Sequence, residues 1–118
     1  MMKIRRTVPN IKSNQPQQSR IFYEDFLGLE AAMNREEIIT FVSPTNPTAQ
    51  ISVMKQEDSF SPLHPDISVE VEDVDQVFHK AQKQNINIVY GITGEPWGVR
   101  RFFVEDPNGK IINILGHL

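Results

Sequence analysis

Apolar and polar positions along this chain follow two different periods. In "DISVEVE", residues 66–72, Ile67, Val69 and Val71 alternate with polar neighbours, the period-two pattern of a half-buried strand. Immediately afterwards the period lengthens. Val74, Val77, Phe78 and Ala81 recur at helical spacing behind Asp73, with Gln76 three residues on and Asn85 as a terminator. That is a capped amphipathic helix. An earlier segment reads the same way: Asn14 followed by Gln17 has the capping-box form, Phe22, Phe26 and Leu29 make the stripe, and Gly28 supplies a stop.

The rest reads as strands. Pro9 forbids a helix interior within "KIRRTVPNI", so that stretch is extended. "EEIITFV" and "AQISVMK" flank a proline-broken loop of several residues, Ser43 to Thr48, and "VRRFFVE" and "KIINILG" flank the turn Asp106-Pro107-Asn108-Gly109. The order is strand, helix, short strand, hairpin, and then the same again, with the two caps about sixty residues apart. A single domain over 1–118 is expected, made of two β-α-β-β-β modules at 1–57 and 64–118, with polar "QEDSFSPLH" (56–64) joining them. An α+β sandwich without internal symmetry fits the strands equally well but leaves the matched spacing as coincidence.

The last hairpin fixes which residues share a face. A tight DPNG turn sets Val104 opposite Ile111, Phe103 opposite Ile112 and Phe102 opposite Asn113. Phe103, Ile112 and Ile114 then pack on the helices, while Arg100, Phe102, Ile111, Asn113 and Leu115 face the other way. A one-residue irregularity would exchange the two sets.

Composition narrows the chemistry. With 12 Lys and Arg against 15 Asp and Glu, the formal charge is −3, which gives no footprint for a nucleic acid. There are no cysteines, so disulfides, thiolate metal sites and cysteine nucleophiles are excluded. No apolar run has the form of a signal peptide or the length of a membrane span. A cytoplasmic location and no membrane partner are expected.

"RIFYEDFLGLE" after an extended strand, "DISVEVEDVDQVF" at the opening of the second half and "RRFFVEDPNGKIINIL" at the end together resemble the vicinal oxygen chelate superfamily, which includes glyoxalase I, extradiol dioxygenases and bleomycin-resistance proteins. The resemblance implies an α+β fold. Its two β-α-β-β-β repeats form a curved, partly open mixed sheet, a half-barrel cleft with the helices outside. It also implies a homodimer, with clefts at the subunit junction. Metal-using members place histidines on the first strand of each half and a glutamate on the last strand. Here the glutamate position falls on Asn113, the second histidine on Asp66 and the first on Thr7 or Val8. A neutral amide lacks the charge that a carboxylate gives a divalent cation. No metal or other cofactor is therefore expected. His64, Asp66 and Glu70 are the residues around which an irregular metal site would form, and a metal-dependent lyase or dioxygenase is the alternative.

The expected ligand is a planar or amphipathic organic small molecule, held by Trp97, Arg100, Phe102, Asn113, Phe60 and Asp66. Each has a plainer reading. Trp97, the only tryptophan, could simply cover a sheet end, although "PWG-x-R-x-F" is similar to bleomycin-resistance proteins. Of Arg100 and Arg101, one goes to solvent or an acidic neighbour and the other could clamp a carboxylate; the register favours Arg100. Phe60 could pack locally, and Asp66, Ser68 and Glu70 could be mere solvent exposure. If they instead wall the cleft, they favour a cationic ligand. His79 and His117 read as surface and terminal residues. The functional expectation is metal-independent sequestration, as in drug resistance, with a closed interaction module as a third possibility.

Overall fold

A computed structural model describes residues 3–55 and 63–117. Phe60, a candidate from the sequence, lies outside the described residues. The elements are β1 (Ile4–Lys12), a 3-10 turn (Pro16–Ser19), a π-helical turn (Ile21–Phe26), β2 (Glu30–Asn34), β3 (Ile38–Ser43), β4 (Asn46–Met54), β5 (Ile67–Val71), α1 (Val74–Lys83), β6 (Ile88–Gly94), β7 (Val99–Glu105) and β8 (Ile111–His117). The fold is α+β with a mixed, open sheet in the order β2-β3-β4-β1-β5-β8-β7-β6. Among the described residues no helix is long and apolar enough to cross a membrane.

The chain divides into two compact units, one holding the residues up to Thr7 and from Pro65 onward, the other running from Val8 to His64. In the first, α1 lays Val74, Val77 and Ala81 against Val71, Phe102 and Val104. Phe78 meets Phe102 edge to face at 5.1 Å. The Asp73 side chain accepts from the Gln76 amide at 3.1 Å, so the cap read from the sequence is in place. Asn85 ends the helix with φ 56°.

In the second unit, Ile39, Phe41 and Val53 form the core with Tyr23, Leu29 and Ala31, and the Tyr23 ring stacks on Phe41 at 5.1 Å. The helical segment here departs from expectation. Gln15, not Asn14, occupies the cap position, and no side chain caps the turn. Gln17 instead donates to Asn34 Oδ1 and the Arg35 carbonyl. Beyond it the Leu27 amide reaches back five residues to Phe22, and this wider turn breaks the 3.6-residue period. Phe22 and Phe26, expected in the apolar stripe, are 52% and 74% exposed, and Tyr23 and Leu29 pack in their place. Gly28, with φ 77°, ends the segment as its type allows. The expected long loop between β3 and β4 is also shorter, since Ser43 pairs with Asn46 across Pro44-Thr45.

The β7–β8 hairpin carries the consequential difference. Phe102 pairs with Ile114, Phe103 with Asn113, Val104 with Ile112 and Glu105 with Ile111, one position from the expected register. The Asp106 amide donates to the Lys110 carbonyl at 2.9 Å and the Gly109 amide to the Asp106 carbonyl at 3.1 Å. The loop is therefore Pro107-Asn108-Gly109, three residues long, with Gly109 at φ 77°. That left-handed third residue belongs to the three-residue class of hairpin, not the two-residue class. An odd loop shifts the pairing by one and turns every β8 side chain to the other partner in β7.

Replacing Asp73 with Ala should lower unfolding free energy by about 1 kcal/mol in urea denaturation, the usual worth of such a cap. The Asp106 carboxylate accepts from the backbone amides of Lys110 and Asn108, chiefly the first, and these bonds hold its pKa below the ordinary aspartate value. A depressed folded pKa stabilises the hairpin fully above the unfolded-state value near pH 4 and loses that contribution as pH falls through the folded one. Denaturation compared near neutrality and at about pH 3 should show a smaller acid loss for Asp106→Asn than for the parent protein.

Candidate functional site

Strand parity separates two faces in the first unit. Residues 102, 104, 112 and 114 lie under α1. Arg101, Phe103, Asn113 and Leu115 point away from it, joined by Ser68 and Glu70 of β5, which pair with Asn113 and Leu115. This second face is largely closed to water: Phe103, Asn113 and Leu115 are all buried.

Its polar groups are unevenly satisfied. Glu70 takes Arg6 Nε on one oxygen and has His117 Nε2 3.5 Å from the other. Glu95 Oε1 accepts from the Tyr90 hydroxyl at 2.7 Å, while Oε2 lies 3.6 Å from the Arg101 guanidinium. Asn113 Nδ2 donates to Ser68 Oγ at 3.1 Å. Two buried atoms have no partner among the described residues, Asn113 Oδ1 and Arg101 Nε. Turning the amide over would leave the amide nitrogen unmatched in place of the oxygen, so the deficit belongs to Asn113 either way. Native structures rarely bury such atoms unpaired, and each costs about 1–3 kcal/mol if it stays so.

Arg101 is also held by rings. Its Cζ lies 4.9 Å from the Phe103 centroid, 5.1 Å from Trp97 and 5.6 Å from Tyr90. Such cation–π contacts favour a planar guanidinium, whose fork is then aimed rather than free to turn.

The residues singled out in the sequence are distributed as follows. Asn113 is on this face, buried, beside Phe103 instead of Phe102. Trp97 stands before β7, 55% exposed, over Arg101. Arg100 does clamp a carboxylate, but that of Asp75 on α1, with Nε at 3.0 and 3.2 Å from its two oxygens. Phe102 is fully buried beneath α1, so both residues lie on the α1 side of the sheet, and Arg101 and Phe103 take the opposite face. Asp66 Oδ2 accepts from the Ile111 amide at 3.0 Å and ties the start of β8 to β5. His64 Nε2 lies 3.1 Å from the Asn10 carbonyl in the second unit. From the sequence, Arg101 stood only as the alternative to Arg100, and Phe103, Tyr90 and Glu95 were missed; Gly109 as the third residue of an odd loop was the signal that would have found Arg101 and Phe103.

The metal implied by the resemblance finds a poor fit. Among the described residues no group of three His, Asp or Glu side chains could hold an ion. Asp66 already accepts from the Ile111 amide and Glu70 is paired with Arg6, and Asn113, which the resemblance puts at the glutamate position, brings only a neutral amide.

A family model for a glyoxalase-like domain matches residues 7–118. The chain belongs to that family, within the vicinal oxygen chelate superfamily. No curated protein sequence matches it. Solved structures with the same fold include an NAD-dependent benzaldehyde dehydrogenase from Legionella pneumophila, 18% identical with a TM-score of 0.76 over 95% of this chain and 99% of that one. Another is a glyoxalase/bleomycin resistance protein/dioxygenase superfamily member from Vibrio splendidus 12B01 (16% identity, TM-score 0.70, 97% and 99% covered). A third is methylmalonyl-CoA epimerase from Mycobacterium tuberculosis (17%, 0.71, 98% and 87%). At such identities the likeness is one of fold, and function rests on the site.

Asn113→Leu should leave the thermal midpoint unchanged or raise it, because an amide with an unmatched atom gives way to an apolar side chain of similar size. A purely structural amide would instead cost about 1–3 kcal/mol on the same calorimetric scan.

Proposed function

We propose that this protein binds a small organic molecule, without a metal, on the face of β5, β8 and β7 turned away from α1. Sequestration is the mechanism. The observation that carries the reading is that, among the described residues, the buried acceptor of Asn113 and the donor of Arg101 on the same face are both unpaired. A bound molecule would satisfy both at once. Burying roughly 100 Å² of ring surface contributes about 2.5 kcal/mol, whereas micromolar affinity needs about 8 kcal/mol. Stacking alone is therefore too weak, and the polar anchors are required. A homodimer in the cytoplasm, acting as bleomycin-resistance proteins do, is the setting this reading carries with it from the family resemblance.

The rival is a metal-dependent lyase or dioxygenase with an irregular site around His64, Asp66 and Glu70. Elemental analysis of protein purified without chelator separates the two. The proposal expects substoichiometric metal and, in titration calorimetry with a panel of planar compounds, saturable binding that EDTA leaves unchanged. A tightly held stoichiometric ion that Asp66→Ala or His64→Ala removes would overturn it.

A further inference from the structure

The charges on this face are not equally available, and their pairing decides which ligand it accepts. From the sequence, Asp66, Ser68 and Glu70 suggest an acidic wall and a cationic guest. In the structure both carboxylates are engaged: Glu70 by Arg6 and His117, Asp66 by the Ile111 amide. Glu95, the remaining acid, holds Tyr90 and Arg101. A cationic ligand would have to break one of these pairs. Among the described residues, the groups left over are a donor on Arg101, whose Nε is unpaired, and an acceptor on Asn113, a residue 93% buried whose Oδ1 is unpaired.

Resting on the binding reading above, we infer that the ligand is a planar, non-cationic compound with a carbonyl or carboxylate oxygen at one end and an O–H or N–H donor at the other. Hydroxy- or amino-substituted aromatic acids and amides have this chemistry. The oxygen meets Arg101, and the donor meets Asn113 Oδ1 in the amide orientation that gives Nδ2 to Ser68. The two residues occupy diagonal positions on neighbouring strands, Arg101 opposite Leu115 and Asn113 opposite Phe103, with their backbones roughly 7–8 Å apart, so one small molecule on this face can meet both side chains. Both unpaired atoms are closed to water, so a guest reaches them by displacing a side chain. Trp97 stacks on Arg101 and is more than half exposed, between Pro96 and a Gly98 with φ 93°, and it is the ring with room to yield. Its stacking surface then passes to the ligand. Glu95 acts as a positioning residue, keeping the guanidinium aimed through Tyr90 and its own carboxylate.

Four probes test this by titration calorimetry, with Trp97 emission as a second readout: 4-hydroxybenzoate, benzoate, 4-methylphenol and 4-hydroxybenzylamine. The expected result is saturable binding of 4-hydroxybenzoate, about tenfold tighter than benzoate or 4-methylphenol, with a change in Trp97 emission, and no binding of the amine. Arg101→Met should erase the preference for 4-hydroxybenzoate over 4-methylphenol, and Asn113→Leu the preference over benzoate. Arg101→Lys, which keeps the charge but loses the planar fork, checks that any loss is not unfolding; circular dichroism of each variant serves the same end. Tighter binding of the amine than of 4-hydroxybenzoate overturns the ligand class while leaving the binding reading intact. Equal affinity for all four probes also overturns it. No saturable binding of any probe overturns both.

Discussion

The pairing of β7 with β8 is the constraint on which the first unit depends. Three loop residues, with Gly109 in the left-handed region, place Phe102 opposite Ile114 and Phe103 opposite Asn113. Because side chains alternate along a strand, a slip of one position would exchange every neighbour. Phe102 would leave the α1 core for the opposite face, and Arg100 would leave Asp75. The penalty for such a slip is large: a fully buried phenylalanine is worth about 3–5 kcal/mol against its truncation. Asp106 reinforces the choice by accepting two backbone amides of the loop with its side chain. Local turn chemistry and core packing thus select the same register.

That register also sorts the charges. On the α1 side, Arg100 is used up by Asp75. On the other side, Arg6, Glu70 and His117 form one group and Arg101, Glu95 and Tyr90 another. Pairing of this kind stabilises a half-buried surface while consuming the groups that could bind a divalent ion or a cationic ligand. Among the described residues, the buried side-chain atoms left without a partner are Arg101 Nε and Asn113 Oδ1. The same fold is found in an epimerase and in a glyoxalase/bleomycin resistance protein/dioxygenase superfamily member, at 17% and 16% identity, so the fold alone does not choose between chemistries.

The two helical segments show where sequence patterns carry and where they stop. Asp73, Gln76 and Asn85 form an N-cap and a terminator whose chemistry is local, and the structure builds both. Asn14 and Gln17 have the same spacing, yet Pro16 starts a 3-10 turn at that point, and Gln17 finds better partners across the chain in Asn34 and Arg35. The wider turn that follows moves Tyr23 and Leu29 into the core and leaves Phe22 and Phe26 outside. A periodicity argument assumes one helical pitch, and a change of pitch within six residues defeats it.

The alternation of apolar residues, the helix spacing and the turn residues determined the α+β class, the order of the elements and the family, because all of these follow from short-range periodicity and motifs a few residues long. The resemblance to the superfamily, carried by those motifs, implies that Asn113 stands where metal-using members have a glutamate. Which arginine and which phenylalanine stand beside it was decided only by the folded hairpin, since loop parity depends on how the backbone closes over Pro107 to Gly109. The availability of each charge was decided there as well. Arg6 and Glu70 are 64 residues apart in the chain, and their meeting, which cancels the acidic character the sequence suggested, is a product of strand order alone.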